Sequence, residues 1–169
     1  MMADRQSLTP EKPVGSGLPP VRYPRILPHY IKVDKFFVRW FSFSPVAWSI
    51  TRANGVKKNL SPLILTTKGR KSGKQLEVVV PYYRDGENYA VIGSKKGAPI
   101  HPHWVLNLMA DPFCEIHLDR RKLRMRARIA TGEEYRRIWA IAVKAYPYYL
   151  DYAVSAYPRQ IPVVVLEKR

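Results

Sequence analysis

The chain has 169 residues, 46% of them hydrophobic, which suits one domain with a substantial core. Twenty-nine lysines and arginines against 13 acidic residues give a formal charge of +16. This charge attracts nucleic acid, anionic membrane or a polyanionic small molecule without choosing among them. A single cysteine, Cys114, excludes an internal disulfide and a cysteine-based zinc site. The sequence has no signal-peptide pattern and no apolar run long enough to span a bilayer, so a cytoplasmic protein is expected.

Residues 1–28 have the composition of a flexible tail. They hold six of the fifteen prolines and offer little apolar surface to bury. We therefore expect an extended segment that drapes over a single domain formed by residues 29–169.

The next segment predicts an aromatic helix that starts at an Asp34 N-cap, bends near Pro45 and ends at Asn54-Gly55. Aromatic residues lie on most of its faces, and cations flank them. Three interpretations remain open. The helix packs on the core, rests on anionic lipid as an interfacial segment, or forms a lid over an apolar substrate.

Strand-like runs follow at 61–67, 76–84, 88–94, 113–118, 121–130 and 161–166. Asp85-Gly86 predicts a hairpin between the second and third runs, and Asp119-Arg120 a turn between the fourth and fifth. The fifth run alternates apolar residues with lysines and arginines, which predicts a half-buried antiparallel strand with its cations in solvent.

Helices are predicted at 102–110 and after a capping box that begins at Thr131 and includes Glu134. The second of these helices leads into a tyrosine-rich C-terminal helix. Short strands with peripheral helices indicate a mainly β, α+β fold that closes into a small β-barrel.

Two loops combine glycines with hydroxyls and cations. Residues 66–74 read TTKGRKSGK, and residues 93–98 read GSKKGA, each after an apolar run. Glycine lets the backbone turn sharply and expose N–H groups, and such loops bind anionic cofactors. Neither loop is a Walker loop or a G-x-G-x-x-G motif. Taken alone, each is better explained as a basic hairpin turn than as a ligand site.

The order and spacing of these motifs resemble the deazaflavin-dependent nitroreductase family, actinobacterial reductases that use coenzyme F420. The resemblance extends from about residue 36 to residue 166. It rests on GRKSG at 69–73, DG at 85–86, SKKGAP at 94–99, PHW at 102–104, NL at 107–108 and DP at 111–112. The tyrosine-rich run 146–152, followed by RQIPV at 159–163, is similar to the end of the family's A group.

This resemblance implies a split β-barrel like that of FMN-binding proteins, with F420 across the barrel groove and FMN as the less favoured cofactor. It implies that the first loop binds the phosphate and glutamate tail of F420, and a polyanionic tail suits paired cations beside backbone donors. The tail residues implied are Arg70, Lys71, Ser72, Gly73 and Lys74. The residues implied near the ring and linker are Ser94, Lys95, Gly97, Pro102, His103, Trp104 and Asn107.

Two positions depart from the family pattern. Leu76 stands where relatives have a further tail-binding arginine, so Lys74 compensates or tail affinity is lower. Lys96 stands where many relatives have glycine.

The resemblance also implies an oxidoreductase that transfers a hydride to an activated alkene, a quinone or a nitroaromatic compound. Ser94, Tyr146, Tyr149 and Tyr152 are the predicted catalytic residues, since a hydroxyl can hydrogen-bond the acceptor oxygen that collects negative charge. Packing in the core is the alternative role for these tyrosines. The histidines lack a nearby carboxylate at metal-like spacing, so no metal is expected.

Other classes of protein remain open at this point. A basic nucleic-acid-binding protein fits the charge and the interleaved aromatics, but no known motif supports it, and no nucleic-acid partner is expected. A non-catalytic F420 or lipid carrier, or a split barrel that binds FMN or haem, is a further alternative. The expected partners are a small, apolar, electron-poor acceptor and, peripherally, the anionic inner face of the plasma membrane. The chain is expected to be a monomer or a homodimer.

Overall fold

The computed structural model describes residues 12–23, 28–57 and 59–169. In these ranges the chain forms five helices, six strands and a short 3-10 turn at Lys95–Gly97. The helices are α1 (Pro28–Phe41), α2 (Pro45–Ala53), α3 (His103–Ala110), α4 (Gly132–Ala145) and α5 (Tyr149–Ala156). The strands are β1 (Pro62–Lys68), β2 (Gln75–Asp85), β3 (Asn88–Ile92), β4 (Phe113–Leu118), β5 (Arg121–Ile129) and β6 (Val163–Lys168).

The strands close into a barrel in the order β1-β2-β3-β6-β5-β4, and every neighbouring pair is antiparallel. The predicted mainly β fold with a closed barrel and peripheral helices is confirmed. The last strand begins two residues later than its predicted start at 161. Pro162 has no N–H to donate to a ladder, and its carbonyl instead accepts from the Gly93 N–H at 2.9 Å.

Two clusters of buried side chains form the core. One fills the barrel, and the other lies between the outside of β3 and β6 and the helices α4 and α5. Along β6, Val164 and Leu166 belong to the first cluster, and Val163 and Val165 to the second. Both faces of β6 are therefore covered, which explains its continuous apolar run.

The strand β5 has one buried and one exposed face, as its alternation predicts. Met125 and Ala127 are buried, and Arg124 and Arg126 are exposed. Ile129, at the end of the strand, is more than a third exposed. Cys114 in β4 is half-buried, and burial raises the pKa of its thiol to about 12, so the thiol stays protonated and unreactive at neutral pH.

The predicted single aromatic helix is two helices, and Asp34 is not the N-cap of the first. Asp34 lies inside α1 and is buried, and its carboxylate accepts hydrogen bonds from the Ser44 hydroxyl at 2.8 Å and the Val46 N–H at 3.1 Å. Ser44 in turn accepts from the Ala47 N–H at 2.9 Å. Asp34 and Ser44 thus cap α2 together, because its first N–H groups have no partner within the helix. The predicted end at Asn54-Gly55 is confirmed.

The helix predicted after Thr131 is present as α4, but the capping box is wrong. The Thr131 side chain makes no cap hydrogen bond. Glu134 instead accepts two hydrogen bonds from the Arg128 guanidinium, at 2.5 and 2.8 Å. Glu134 therefore bonds to Arg128 of β5 and not to the helix backbone, because charge-assisted hydrogen bonds are the stronger ones.

Part of the N-terminal segment lies against the domain. Ser16 donates from its backbone N–H and its hydroxyl to the Asp151 carboxylate on α5, and Arg22 and Asn54 exchange two hydrogen bonds at the end of α2. Residues 1–11 and 24–27 of the predicted tail lie outside the described residues. Among the helices that the structure describes, none is both long and apolar enough to cross a membrane.

Candidate functional site

A small basic cleft lies where the loop after β1 meets α3. Its volume is about 190 Å³, and it is lined by Gly69, Arg70, Lys71, Ser72, Leu76, His103 and Asn107. The loop turns tightly: the Gly73 N–H donates to the Gly69 carbonyl at 2.7 Å, and Gly73 has a φ of 66°, which favours glycine. Gly73 and Lys74 shape this turn rather than line the cleft.

Asn107 fixes the loop to the barrel. Its side-chain oxygen accepts from the backbone N–H of Arg70 at 3.2 Å and from the Arg70 guanidinium at 3.1 Å. Its amide donates to the Thr67 hydroxyl at 3.1 Å, and Asn107 and Thr67 are both almost fully buried. This amide therefore holds the Arg70 side chain in one direction at the cleft.

The cleft has positive charge without a neutralising carboxylate. Of the ion pairs formed by the residues that the structure describes, none includes Arg70 or Lys71. The nearby Glu77 pairs instead with Lys35 and Arg39 of α1. Leu76, at the position of the missing arginine, is half-exposed and borders the cleft. An anion bound there meets cations that no acid in the described protein neutralises.

A larger cavity of about 430 Å³ opens on the other side of α3 and lies within the usual size range of small-molecule sites. Most of its lining is apolar. Its walls come from α2 (Val46, Ala47, Ile50, Thr51), β2 (Val78, Val79, Val80, Pro81), the start of α3 (Pro102, Trp104) and the tyrosines Tyr146, Tyr149 and Tyr152. Of the two helices of the aromatic segment, α2 contributes more residues to the wall of this cavity than α1.

The helix α3 connects the two sites. Trp104 faces the cavity, while His103 and Asn107 face the cleft. An elongated molecule with an anionic end and an apolar end can therefore contact both through one helix.

The second glycine-containing loop brings Ser94, Lys95 and Lys96 to the cavity wall. Lys95 and Lys96 have φ values of 47° and 54°, so Lys96 adopts the left-handed conformation for which glycine is better suited. Gly97 does not line the cavity. A Cβ on Gly97 would lie 2.7 Å from Cβ of Ser155, so glycine is needed there to let the loop pack on α5.

Arg159 holds this loop in place. Its guanidinium donates to the carbonyls of Ala98 at 2.7 and 2.9 Å, of Ser94 at 3.0 Å and of Gly93 at 3.3 Å. Burial lowers the pKa of Arg159, yet an arginine stays charged at neutral pH. Burial and the nearby Arg159 also lower the pKa of His101, which favours the neutral imidazole.

The tyrosines form one connected cluster around the cavity. The Tyr146 and Tyr152 hydroxyls lie 3.3 Å apart, and the Tyr83 hydroxyl donates to Tyr149 at 3.3 Å. Burial raises the pKa of Tyr146, Tyr149 and Tyr152 above the ordinary value. All three hydroxyls therefore keep their protons at neutral pH and can donate hydrogen bonds.

The structure divides the predicted site residues into three groups. Ser94, Lys95, Pro102, Trp104 and the three tyrosines meet at the cavity. Arg70, Lys71, Ser72, His103 and Asn107 meet at the cleft. Gly73, Lys74 and Gly97 shape the loops.

Sequence reasoning missed the site roles of three residues: Tyr23 as a cavity-lining residue, Arg159 as the anchor of the Ser94 loop, and Thr67 as the partner of Asn107. The RQIPV motif at 159–163 was the available signal for Arg159. Tyr23 lies in a proline-rich stretch that carries no such signal. Where the structure describes the chain, no group of three His, Cys, Asp or Glu residues could hold a metal ion.

A closed antiparallel barrel with a cationic cleft beside an apolar cavity is the arrangement of a protein that binds a cofactor with an anionic tail and an apolar ring system. The sequence profile described as "F420H(2)-dependent quinone reductase" matches residues 46–168. An F420H(2)-dependent quinone reductase of Mycobacterium tuberculosis is 33% identical over 109 residues, which are 63% of this chain and 73% of that protein.

Two solved structures are similar to the chain. An F420-H2-dependent reductase (FDR-A) is 36% identical with a TM-score of 0.58, over 63% of this chain and 93% of that one. A structure described as a domain-swapped dimer has the same identity and TM-score, over 63% of this chain and 79% of that one. The chain belongs to the F420H(2)-dependent quinone reductase family. It is an oxidoreductase, and its cofactor is coenzyme F420.

The site suits that cofactor. The uncompensated charge of Arg70 and Lys71 matches a polyanionic tail, and the mainly apolar cavity behind Trp104 matches a fused ring system.

Proposed function

We propose that the chain reduces quinones and activated alkenes, with the acceptor bound in the 430 Å³ cavity among Tyr146, Tyr149 and Tyr152. The observation that carries this proposal is the connection of the cavity, through α3, to a cleft with uncompensated positive charge. The cavity wall is mostly apolar, so it favours a neutral acceptor of low polarity. We regard the reduction of nitroaromatic compounds as incidental.

Arg70, Lys71 and Ser72 bind the tail of the cofactor in this proposal, with Gly73 and Lys74 holding the loop in shape. Ser94, Lys95, Pro102 and Trp104 border the ring, and His103 and Asn107 border the linker. Gly97 contributes by packing the second loop on α5. When bound, reduced F420 supplies a hydride, and the protein supplies orientation and exclusion of water.

The acceptor oxygen gains negative charge during reduction and needs a hydrogen-bond donor. Ser94 and the three tyrosines are the candidate donors that line the cavity. The pKa of each of the three tyrosines is raised by burial, so a protonated hydroxyl is available throughout the neutral range.

Single Tyr→Phe variants at 146, 149 and 152, together with Ser94→Ala, test the acceptor site. We expect kcat/KM for menadione to fall by about 10- to 100-fold in at least one of them, since donors to a developing oxyanion contribute a few kcal/mol. F420 affinity should stay unchanged. Tyr148→Phe is the matched control, because Tyr148 is equally buried in the same run but does not line the cavity. Wild-type rates in all four variants would contradict the site assignment.

The double variant Arg70→Ala with Lys71→Ala tests the cleft. Loss of charge-assisted contacts should weaken F420 binding by about 1–3 kcal/mol per contact, and added salt should weaken binding to wild-type protein. Arg124→Ala with Arg126→Ala is the control, since it removes the same charge from the exposed face of β5. Equal dissociation constants for the two double variants would contradict the proposal that the cleft binds the cofactor tail.

A peripheral membrane contact is a second proposal, and the exposed aromatic residues of α1 support it. Phe36, Trp40 and Phe41 are each more than half exposed, and aromatic side chains flanked by cations suit the lipid interface. Co-sedimentation with anionic vesicles should fall in the variant Trp40→Ala with Phe41→Ala, but not in Ile100→Ala, which removes an equally exposed apolar side chain from a loop. Equal recovery with neutral and anionic vesicles would contradict the proposal.

A homodimer is the assembly to test first, because one solved relative is described as a domain-swapped dimer. Light scattering should give twice the chain mass of 19.6 kDa if the proposal holds, and the chain mass if the protein is a monomer.

A further inference from the structure

The N-terminal segment 12–23 lies against the domain and is held by hydrogen bonds at Ser16 and Arg22. We call this segment the strap. Near its start, Ser16 donates to the Asp151 carboxylate from its backbone N–H at 2.9 Å and its hydroxyl at 2.5 Å. Near its end, the Arg22 N–H donates to the Asn54 side-chain oxygen at 2.7 Å, and the Asn54 amide donates to the Arg22 carbonyl at 2.8 Å. The strap thereby bridges α5 and the end of α2.

The close fit of the strap on α5 is visible at Gly15. A Cβ at this position would lie 2.9 Å from a carboxylate oxygen of Asp151, so glycine lets the strap approach the helix. Val21 packs against the second core cluster, which contains the tyrosines. These contacts place the strap against α5 and the tyrosine cluster beside the cavity.

Tyr23, the last residue of the strap, forms part of the cavity wall. Its hydroxyl lies 2.5 Å from the Tyr152 hydroxyl, and either group can donate. The Lys96 ammonium lies over its ring, 4.0 Å from the centroid, in cation–π geometry. Tyr23 thus joins two wall elements, α5 and the Ser94 loop, that come from distant parts of the chain.

The strap lies outside the region that the family profile matches, residues 46–168. Tyr23 therefore adds a wall to a cavity whose remaining lining is mostly within the matched region. The residue is 39% exposed, so part of it remains accessible to solvent.

We propose that Tyr23 is a specificity-determining residue that closes the acceptor cavity on the strap side and restricts the protein to compact acceptors. This inference depends on the proposed acceptor site. A quinone with a substituent directed toward the strap must displace Tyr23, which breaks its contacts with Tyr152 and Lys96. A compact quinone leaves them in place.

Calorimetric titration of the full-length protein loaded with oxidised F420 tests the inference with two quinones and without turnover, because the oxidised cofactor occupies its own place in the cavity and has no hydride to transfer. Menadione is the compact probe, and 2-methyl-3-prenyl-1,4-naphthoquinone is the substituted one. Tyr23→Ala should bind the prenylated quinone about tenfold more tightly than wild type, a gain of about 1.4 kcal/mol, while menadione affinity changes by less than about threefold. The ratio of kcat/KM values for the two quinones should shift in the same direction in the holoenzyme.

Three further variants distinguish the role of the Tyr23 ring from that of the contacts that hold the strap in place. Tyr23→Phe keeps the ring and should retain most of the discrimination. Ser16→Ala removes one of the strap's hydrogen bonds to Asp151 and should reduce the discrimination between the two quinones in part. Val14→Ala is the control, because Val14 is an 83% exposed residue of the same strap that does not line the cavity.

The three results that would contradict the inference can be told apart. An unchanged affinity ratio in Tyr23→Ala, with wild-type protein binding menadione normally, would overturn the role of Tyr23 and leave the proposed function intact. An equal loss of affinity for both quinones would show that Tyr23 supports the cavity without discriminating between acceptors, and it would also overturn the proposed role. Wild-type protein that binds neither quinone would overturn the acceptor site and the strap inference with it.

Discussion

Replacement of Asn107 by alanine is expected to disturb stability and cofactor binding together. The change removes three hydrogen bonds, to the Thr67 hydroxyl, the Arg70 N–H and the Arg70 guanidinium. The first two have neutral partners and contribute about 1 kcal/mol each. The guanidinium is exposed and regains water, so its bond adds little to stability.

The expected loss is therefore about 2–3 kcal/mol, since the buried Thr67 hydroxyl also loses its donor. For a chain of this size, about 2–4 °C of melting temperature corresponds to each kcal/mol, so Asn107→Ala should melt about 5–10 °C below wild type. F420 affinity should fall about three- to tenfold, because Arg70 keeps its charge and loses its fixed direction.

Scanning fluorimetry and a fluorescence titration with F420 measure the two effects. Thr67→Val is the companion variant, and the double variant should be less destabilised than the sum of the two single ones, because both remove the same bond. An Asn107→Ala protein that melts with wild type and binds F420 equally would refute the assignment of Asn107 as the anchor of the cleft.

Three other predictions follow from local geometry. Gly97→Ala should destabilise the protein by about 1–2 kcal/mol more than Gly55→Ala in chemical denaturation, because both glycines have a positive φ but only at Gly97 would an added Cβ contact other atoms. Equal losses of stability in the two variants would contradict the packing argument. Burial raises the pKa of Tyr83 from 10.0 to about 12, so the stability that its neutral form contributes is complete below pH 10 and is lost as the pH rises to 12. The denaturation midpoint should fall over that pH range, and it should fall less steeply in Tyr83→Phe; parallel pH curves for the two proteins would refute this. Arg159→Met should raise KM for F420 or acceptor by loosening the Ser94 loop, with Arg159→Lys restoring part of the loss, and steady-state kinetics identical to wild type would contradict an anchoring role.

Much of the fold was predictable because its signals are local. The alternation in β5 and the glycine turn at Gly86 depend on neighbouring residues, so the antiparallel strands could be placed within about two residues. The capping of α2 could not. Asp34 reaches Ser44 across the short connection between α1 and α2, and nothing in the spacing distinguishes that contact from an ordinary N-cap.

The candidate site divides in the same way. The cationic loop at Arg70 and Lys71 and the run of tyrosines could be located from the sequence, because glycines, cations and aromatic residues cluster there within a few positions. The contact of Tyr23 with Tyr152, 129 residues away, and the bond from Arg159 to the carbonyl of Ser94, 65 residues away, could not. Such contacts depend on how barrel closure and helix packing bring distant segments together, and a hydrogen bond between distant residues leaves no periodic pattern in either segment.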